Sequence, residues 1–369
     1  MGEKAAPRCL PHGGGLSRLI DEADARSKGK TMLKREDAEK REYEFLSDYA
    51  TKAAESRGRA REEEKCAIRT DFQRDKDRIV YSKALRRLMH KTQVFLAPEG
   101  DHYRTRLTHT LEVTQISKTI ARGLKLNEDL TEAIAMGHDL GHTPFGHNAE
   151  DFLNEKHEKG FKHNVQSLRV VDVLECSETR RGMNLTEEVR DGIVNHTGRK
   201  IPFTLEGQIV RLSDRVAYIN HDIDDALRSS IIKKEDLPYD CVEALGDTTT
   251  KRINTLVLDI IGSSEDSDFI SQGEECAFFM NKLRDFMFDQ VYFSHVVKGD
   301  EDLEKVKSLI FFLYDHFIAN PGELPAEYSV LIDEYGLQEM VKDHIASMTD
   351  RYALDLYKKL VMPNGWKKK

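Results

Sequence analysis

Between Met136 and Glu150 the chain reads Met-Gly-His-Asp-Leu-Gly-His-Thr-Pro-Phe-Gly-His-Asn-Ala-Glu, three histidines and two carboxylates separated by glycines and a proline. Adjacent His138 and Asp139 offer one imidazole nitrogen and one carboxylate oxygen, a mixed set suited to a hard or borderline divalent cation. Two ligands hold a cation poorly, so more must come from elsewhere. His147 and Glu150 stand at i and i+3. On a helical turn they share a face, where the carboxylate can orient the imidazole and raise its basicity. The stretch therefore carries two chemistries, cation binding and proton transfer. Of the 14 histidines in the chain, ten fall between Lys83 and Asp225.

Two further residues stand out by position. His109 interrupts the helical recurrence of Leu107, Leu111, Ile116, Ile120 and Leu124, and Asp214 sits between Leu212 and Val216. Singly, a hydrogen-bonded core histidine and a solvated polar face explain them better than a functional role does. Asp214 opens a polar stripe with Tyr218, His221, Asp222 and Asp225, opposite an apolar stripe of Ile209, Leu212, Val216, Ile219, Ile223 and Ala226. Those spacings predict one amphipathic helix from Leu205 to Leu227.

The elements that must position these residues are helical. Asn127 with Glu128 and Asp129 reads as a cap and acidic first turn for a helix ending near His138. Leu168, Val171 and Leu174 mark another, and Thr186-Glu187-Glu188 caps one that stops at Gly198. A charged helical pattern runs from Asp37 to Ala60, broken at Ser56-Arg57-Gly58-Arg59, and another leads from Arg69 through Val80 into Ala84 to Met89. Beyond Leu237, helical text covers Ile253 to Ile261, Phe278 to Val291, Leu303 to Phe317 and Tyr328 to Leu360, punctuated by Pro321 and Pro325. No strict alternation suggests a sheet, so the fold class is mostly α. Residues 1–36, with Gly13-Gly14-Gly15 and no apolar period, read as a disordered or loosely packed arm; 37–235 read as the core, and 236–369 as a helical region packed on it.

Composition narrows the function. At 369 residues and 39% hydrophobic content the chain can bury a large core, and its net charge of −9 argues against nucleic acid as the bulk partner. Any anionic ligand must be held locally. Five scattered cysteines without a CxxC pair imply reduced thiols. No apolar leader and no apolar run of membrane length occur, so a cytoplasmic protein without a membrane partner is expected. A phosphate-binding loop of the GxxxxGK[ST] type is missing as well.

The order His109, then His138-Asp139, then Asp214 on three helical segments is similar to the HD superfamily of metal-dependent phosphohydrolases. Over roughly Leu46 to Ser229 the chain resembles, more narrowly, the dGTPase-like deoxynucleoside triphosphate triphosphohydrolases. The resemblance runs through Ser56-Arg57-Gly58-Arg59, Thr70-Asp71-Phe72-Gln73-Arg74-Asp75, Lys91-Thr92-Gln93-Val94-Phe95, Arg106-Leu107-Thr108-His109, His138 to Glu150, and Leu205-Glu206-Gly207-Gln208 through Asp225. One departure is Ala149, where family members often carry glycine. The C-terminal third is similar only in helical character.

The resemblance implies a multi-helix HD-domain fold with additional C-terminal helices, and hydrolysis of a deoxynucleoside triphosphate to deoxynucleoside and inorganic triphosphate. It implies His109, His138, Asp139 and Asp214 as ligands of one divalent ion, Mn²⁺ or Mg²⁺ ahead of other transition metals, and His147 with Glu150 as the catalytic pair. It places His142, His163, Arg106 and Arg215 near the triphosphate. Tyr218 would pack where a 2′-hydroxyl would sit, with Asp222 and Gln93 bonding the 3′-hydroxyl. It also implies a homo-oligomer and a nucleotide activator. Some members bind single-stranded nucleic acid; here no aromatic-basic ladder stands out, and the charge balance neither supports nor excludes a local basic groove. Two rivals are kept: another HD enzyme, a nucleotidase or phosphodiesterase on a different nucleotide, and a non-enzymatic nucleotide sensor.

Overall fold

The apolar periods of the sequence become helices that share out two cores. The computed structural model describes residues 32–93, 104–177, 180–292 and 300–363. Among them are seventeen α-helices and no strand. The longer helices of the first half are α1 (Arg35–Phe45), α2 (Asp71–Val80), α3 (Arg106–Gly123), α4 (Glu128–Gly137), α5 (Gly146–Lys156), α6 (His163–Arg169), α7 (Glu187–Asn195) and α8 (Leu205–Arg228). Those of the second half are α9 (Tyr239–Leu245), α10 (Thr249–Ser264), α11 (Glu274–Met287), α12 (Asp300–Ala319), α13 (Leu337–Ser347) and α14 (Asp350–Val361).

Caps set several of these starts. Asn127 Oδ1 accepts from the amides of Asp129 and Leu130 at 3.1 and 3.2 Å, satisfying two donors that the first turn of α4 leaves open. Thr204 does the same for α8, accepting from Gly207 N at 3.1 Å. Thr186 precedes α7 but makes no side-chain cap; its amide donates instead to Asp75 Oδ2 at 2.7 Å, and the helix stops at Asn195 rather than Gly198. The pattern from Asp37 to Ala60 is helical only through Phe45, because Leu46 turns extended at ψ 155°. From Tyr328 to Leu360 the chain is not one helix: Gly336, at φ +89°, turns it into α13, and Thr349 caps α14. Of the arm expected over 1–36, residues 1–31 fall outside the described residues.

The first core gathers α2, α3, α4, α7 and α8 and continues into α9, α10 and α11 through Cys241, Ile260 and Met280. Helix α8 is its axis. Ile209, Val216, Ile219, Ile223 and Ala226 are buried as the apolar stripe requires, but His221, Asp222 and Asp225 are buried too. The polar stripe therefore faces the interior, where each group needs a partner. The second core is separate. Phe145, Ala149 and Leu153 of the α5 segment pack with Ile310, Leu313 and Phe317 of α12 and Met340, Val341 and Ile345 of α13. Cys66, Cys176, Cys241 and Cys276 are free thiols, and no helix among the described residues is long and apolar enough to cross a membrane.

Candidate active site

Helix α4 delivers the His-Asp pair at its C-terminal end, and the chain must then reverse. Ser167 Oγ on α6 staples this turn, donating to His138 O at 2.7 Å and accepting from Gly141 N at 2.9 Å. A Cβ at Gly141 would collide with the backbone of Gln166 and Ser167, so only glycine lets the turn lie on α6.

The four residues proposed as ligands converge. His109 Nε2 on α3 lies 3.1 Å from Asp214 Oδ1 on α8. His138 Nε2 lies 3.6 Å from Asp139 Oδ1 and 3.8 Å from Asp214 Oδ1. Ligand atoms of His109, His138 and Asp139 fall within 4.8 Å of one another. His138 donates from Nδ1 to Ala135 O at 2.7 Å, which fixes its tautomer and leaves Nε2 as an acceptor facing Asp214. That buried Nε2 has no hydrogen-bond partner, so its lone pair is available to a cation. Burial disfavours charge on His109, but the Asp214 carboxylate outweighs it and raises the ring pKa. Burial also opposes the charges of Asp139 and Asp214; nearby rings, with Arg106 added for Asp139, outweigh it and hold both carboxylates below their usual range. Two imidazoles and two ionised carboxylates fit a divalent cation that prefers nitrogen and oxygen.

A second cluster forms around Glu150. His142, His147, Glu150 and His163 place one ligand or proton-carrying atom each within 4.8 Å of the others. Glu150 Oε2 meets His147 Nδ1 at 3.2 Å, and Glu150 Oε1 accepts from the amide and Nδ1 of His163 at 2.8 and 2.9 Å. Burial works against this carboxylate, but its bonds from His147 and His163 win, and its pKa falls far below the usual range. Glu150 is thus a fixed anion. His147 is 64% exposed, with Nε2 turned away from Glu150. His142 is fully buried, stacks on His163 at 4.9 Å, and has both ring nitrogens unpartnered. Burial first, then Arg106, keeps it neutral.

The clusters adjoin: ligand atoms of Asp139, His163 and His196 lie within 4.8 Å of one another. Arg106 Nη1 donates to Asp139 Oδ2 at 3.0 Å and Nη2 to Gln93 O at 3.1 Å, while an isolated bridge pairs Thr92 with Thr105. Gln93 is buried with Oε1 unpartnered. Tyr218 is half-buried; burial, then Asp214, raises its phenol pKa. Asp222, one turn beyond on α8, is buried. Arg215 points elsewhere, bonding Asn281 Oδ1 on α11.

The sequence reading gave no site role to His196, His221 or Lys91. His196 bridges the clusters: its Nε2 is 3.2 Å from His163 Nε2, and its ring is 5.0 Å from that of His138. Burial pushes its pKa down to about 3. His221 lies 5.9 Å from the His109 ring, and burial pushes it to about 2. Histidine density was the signal for His196, and its place on the polar stripe with Asp214 was the signal for His221. Lys91 is fully buried, donating from Nζ to His142 O and, at 2.8 Å, to Ala346 O. Burial lowers its pKa to about 7; in the sequence it stood only as part of the stretch Lys91-Thr92-Gln93 that carries the resemblance.

Comparison with known proteins finds two matching family models. Residues 106–219 match the HD domain, and residues 271–359 match the phosphohydrolase-associated domain. A deoxyguanosinetriphosphate triphosphohydrolase-like protein of Caldanaerobacter subterraneus subsp. tengcongensis is 56% identical over 335 residues, covering 91% of this chain and 98% of its own. Proteins of the same description from Desulfatibacillum aliphaticivorans and Clostridium tetani are 46% and 43% identical, covering 90% and 85% of this chain and 99% and 92% of their own. The chain belongs to the deoxyguanosinetriphosphate triphosphohydrolase-like family of HD-domain phosphohydrolases.

Proposed function

We propose that the protein hydrolyses deoxynucleoside triphosphates at the α-phosphorus, releasing deoxynucleoside and intact inorganic triphosphate. The observation that carries this reading is the joining of the two clusters. Asp139 of the ligand set, His163 of the neighbouring cluster and His196 bring ligand atoms within 4.8 Å of one another, and Glu150 orients His147 within that cluster. A divalent cation, Mn²⁺ or Mg²⁺, held by His109, His138, Asp139 and Asp214 would supply charge neutralisation at the reacting phosphate.

The chain's own groups do the rest. A water oxygen bonds to the α-phosphorus as the bond from phosphorus to the 5′-oxygen breaks. One water proton must leave, and the 5′-oxygen must gain one. His147, bonded to Glu150 through Nδ1, has Nε2 free to hold or deliver that proton. His142, His163 and Arg106 offer donors to the polyphosphate; Arg215 would first have to leave Asn281. By the family resemblance Tyr218, Asp222 and Gln93 would hold the sugar, Tyr218 packing where a ribonucleotide would carry its 2′-hydroxyl. Family resemblance extends the reading to a cytoplasmic homo-oligomer with a nucleotide activator.

Incubating the purified protein and Mn²⁺ or Mg²⁺ with each of the four deoxynucleotides, singly and mixed, tests this. The expected product is intact triphosphate beside deoxynucleoside, and mixing reveals activation. Release of pyrophosphate or single phosphate would reject the reading.

A further inference from the structure

Helix α5, which carries His147 and Glu150, starts from an unfavourable turn. Phe145 is left-handed at φ +60°, ψ 24°, and provides no side-chain cap. A bulky residue rarely adopts that conformation unless its surroundings dictate it. One source of restraint is local: Thr143 Oγ1 donates to Gly146 O at 2.9 Å.

The other restraints come from the far end of the chain. Asp350, the first residue of α14, is buried, and both its oxygens are used. Oδ1 accepts from Phe145 N at 2.9 Å, while Oδ2 accepts from Thr92 N at 3.0 Å and Thr92 Oγ1 at 2.7 Å. One carboxylate thus ties together the residue before Gln93 and the residue two before His147. Lys91 repeats the pattern on the opposite side of the loop, joining His142 O to Ala346 O of α13. The geometry is tight: a Cβ at Gly146 would lie 2.8 Å from Gln93 O, so a shift of the turn disturbs the Gln93 backbone that Arg106 grips.

We infer that Asp350 is a positioning residue for proton transfer, and that Lys91 supports it. Through these two side chains, α13 and α14 set where His147 stands relative to the His109–Asp214 ligand set. The inference rests on the reading of His147 as the proton-transfer group, and neither side chain touches a ligand residue's side chain.

The test is Asp350→Asn in the full chain. The amide keeps the size of the carboxylate but turns an N–H toward one set of donors. Since misplacement by about 1 Å can cost on the order of 100-fold in rate, kcat should fall about 10- to 100-fold while KM moves less than about 3-fold. Mn²⁺ occupancy by equilibrium dialysis should match the parent. Amide hydrogen exchange should quicken about 10-fold or more at residues 145–150 and stay unchanged in α3 and α8. A merely structural role would lower thermal stability without this split between kcat, KM and metal occupancy. Lys91→Met should give the same signature and carries the test if Asp350→Asn does not fold. Parent-like exchange at 145–150, parent-like kcat, or a kcat loss matched by lost Mn²⁺ would each overturn the inference. If the parent protein hydrolyses no deoxynucleotide, the proposed function fails separately, and the exchange and Mn²⁺ measurements still decide the positioning claim.

Discussion

The two halves of the proposed site, a ligand half and a proton-transfer half, are built in opposite ways. The ligand half takes His109 from α3, His138 and Asp139 from the end of α4, and Asp214 from α8, three elements packed on one another in the first core. Its groups are buried, and Asp214 is its most open member at 21% side-chain exposure. The proton-transfer half rides on α5, whose apolar face belongs to the second core, and presents His147 at 64% exposure. The three helices that carry the first half pack directly on one another, so its geometry is set by the core itself. The second half keeps a group accessible to substrate, and its position depends on how the C-terminal helices dock. Precision in one half is inherited from the core; in the other it is imposed from outside.

The sharpest way to break this comparison is to delete one residue from each half. Asp214→Asn should abolish Mn²⁺ retention and activity together, by more than about 100-fold, since groups merely supporting a ligand are worth about 10- to 100-fold. His147→Ala should lower kcat by about 10²- to 10⁴-fold, the range for a general acid or base, and leave Mn²⁺ binding intact. Metal titration beside steady-state kinetics checks both. An Mn²⁺ affinity that fell equally in the two variants would show that the halves form one site.

Core substitutions probe the same division at a distance. Ile134 on α4 and Ile310 on α12 are both completely buried, the first in the core under His138 and the second in the core under α5. Replacing either with alanine should cost about 2–5 kcal/mol in denaturant unfolding, because a cavity is left where little can collapse. Ile134→Ala should weaken Mn²⁺ affinity. Ile310→Ala should lower kcat with Mn²⁺ affinity retained. The reverse pattern would mean that each core supports the opposite half.

That division also explains what could be read from the chain. Helical spacing gave the existence of α3, α4 and α8, and the cap at Asn127 gave a start, because local rules govern both. His109, His138, Asp139 and Asp214 converge as the resemblance implied, since all four lie on elements of one core. His147 and Glu150 meet at hydrogen-bond distance because their i, i+3 spacing is a local fact. What stayed hidden depends on non-local packing. His196 has no spacing relation to His138 or His163, and its bridge exists only after α7 docks. Asp350 lies 205 residues from Phe145, and nothing in the first turn of a charged C-terminal helix marks it as a partner of a distant loop. Arg215 went the other way, since on α8 alone its bond to Asn281 could not be foreseen.

The smallest effect tests whether the outside anchor is held as a charge. Burial lowers Lys91 from 10.5 to about 7 in the folded protein, so between those values the unfolded chain binds more protons than the folded one. Stability contributed by this group should therefore rise with pH from 7 toward 10.5, and the cost of burying its charge is fully felt below pH 7. Lys91→Met removes the titration together with both hydrogen bonds. The stability advantage of the parent over this variant should grow between pH 7 and pH 9 by up to about 2–3 kcal/mol, at about 1.4 kcal/mol per pH unit. Cys66, whose pKa lies near 7, titrates in both proteins and cancels in the difference. Urea unfolding of parent and variant at the two pH values reads it directly. An advantage that stays constant would mean that Lys91 remains an ammonium ion between the carbonyls of His142 and Ala346. The proton-transfer half would then be tethered by a buried cation, as the ligand half is tethered by Arg106, and the contrast between the two would narrow to exposure alone.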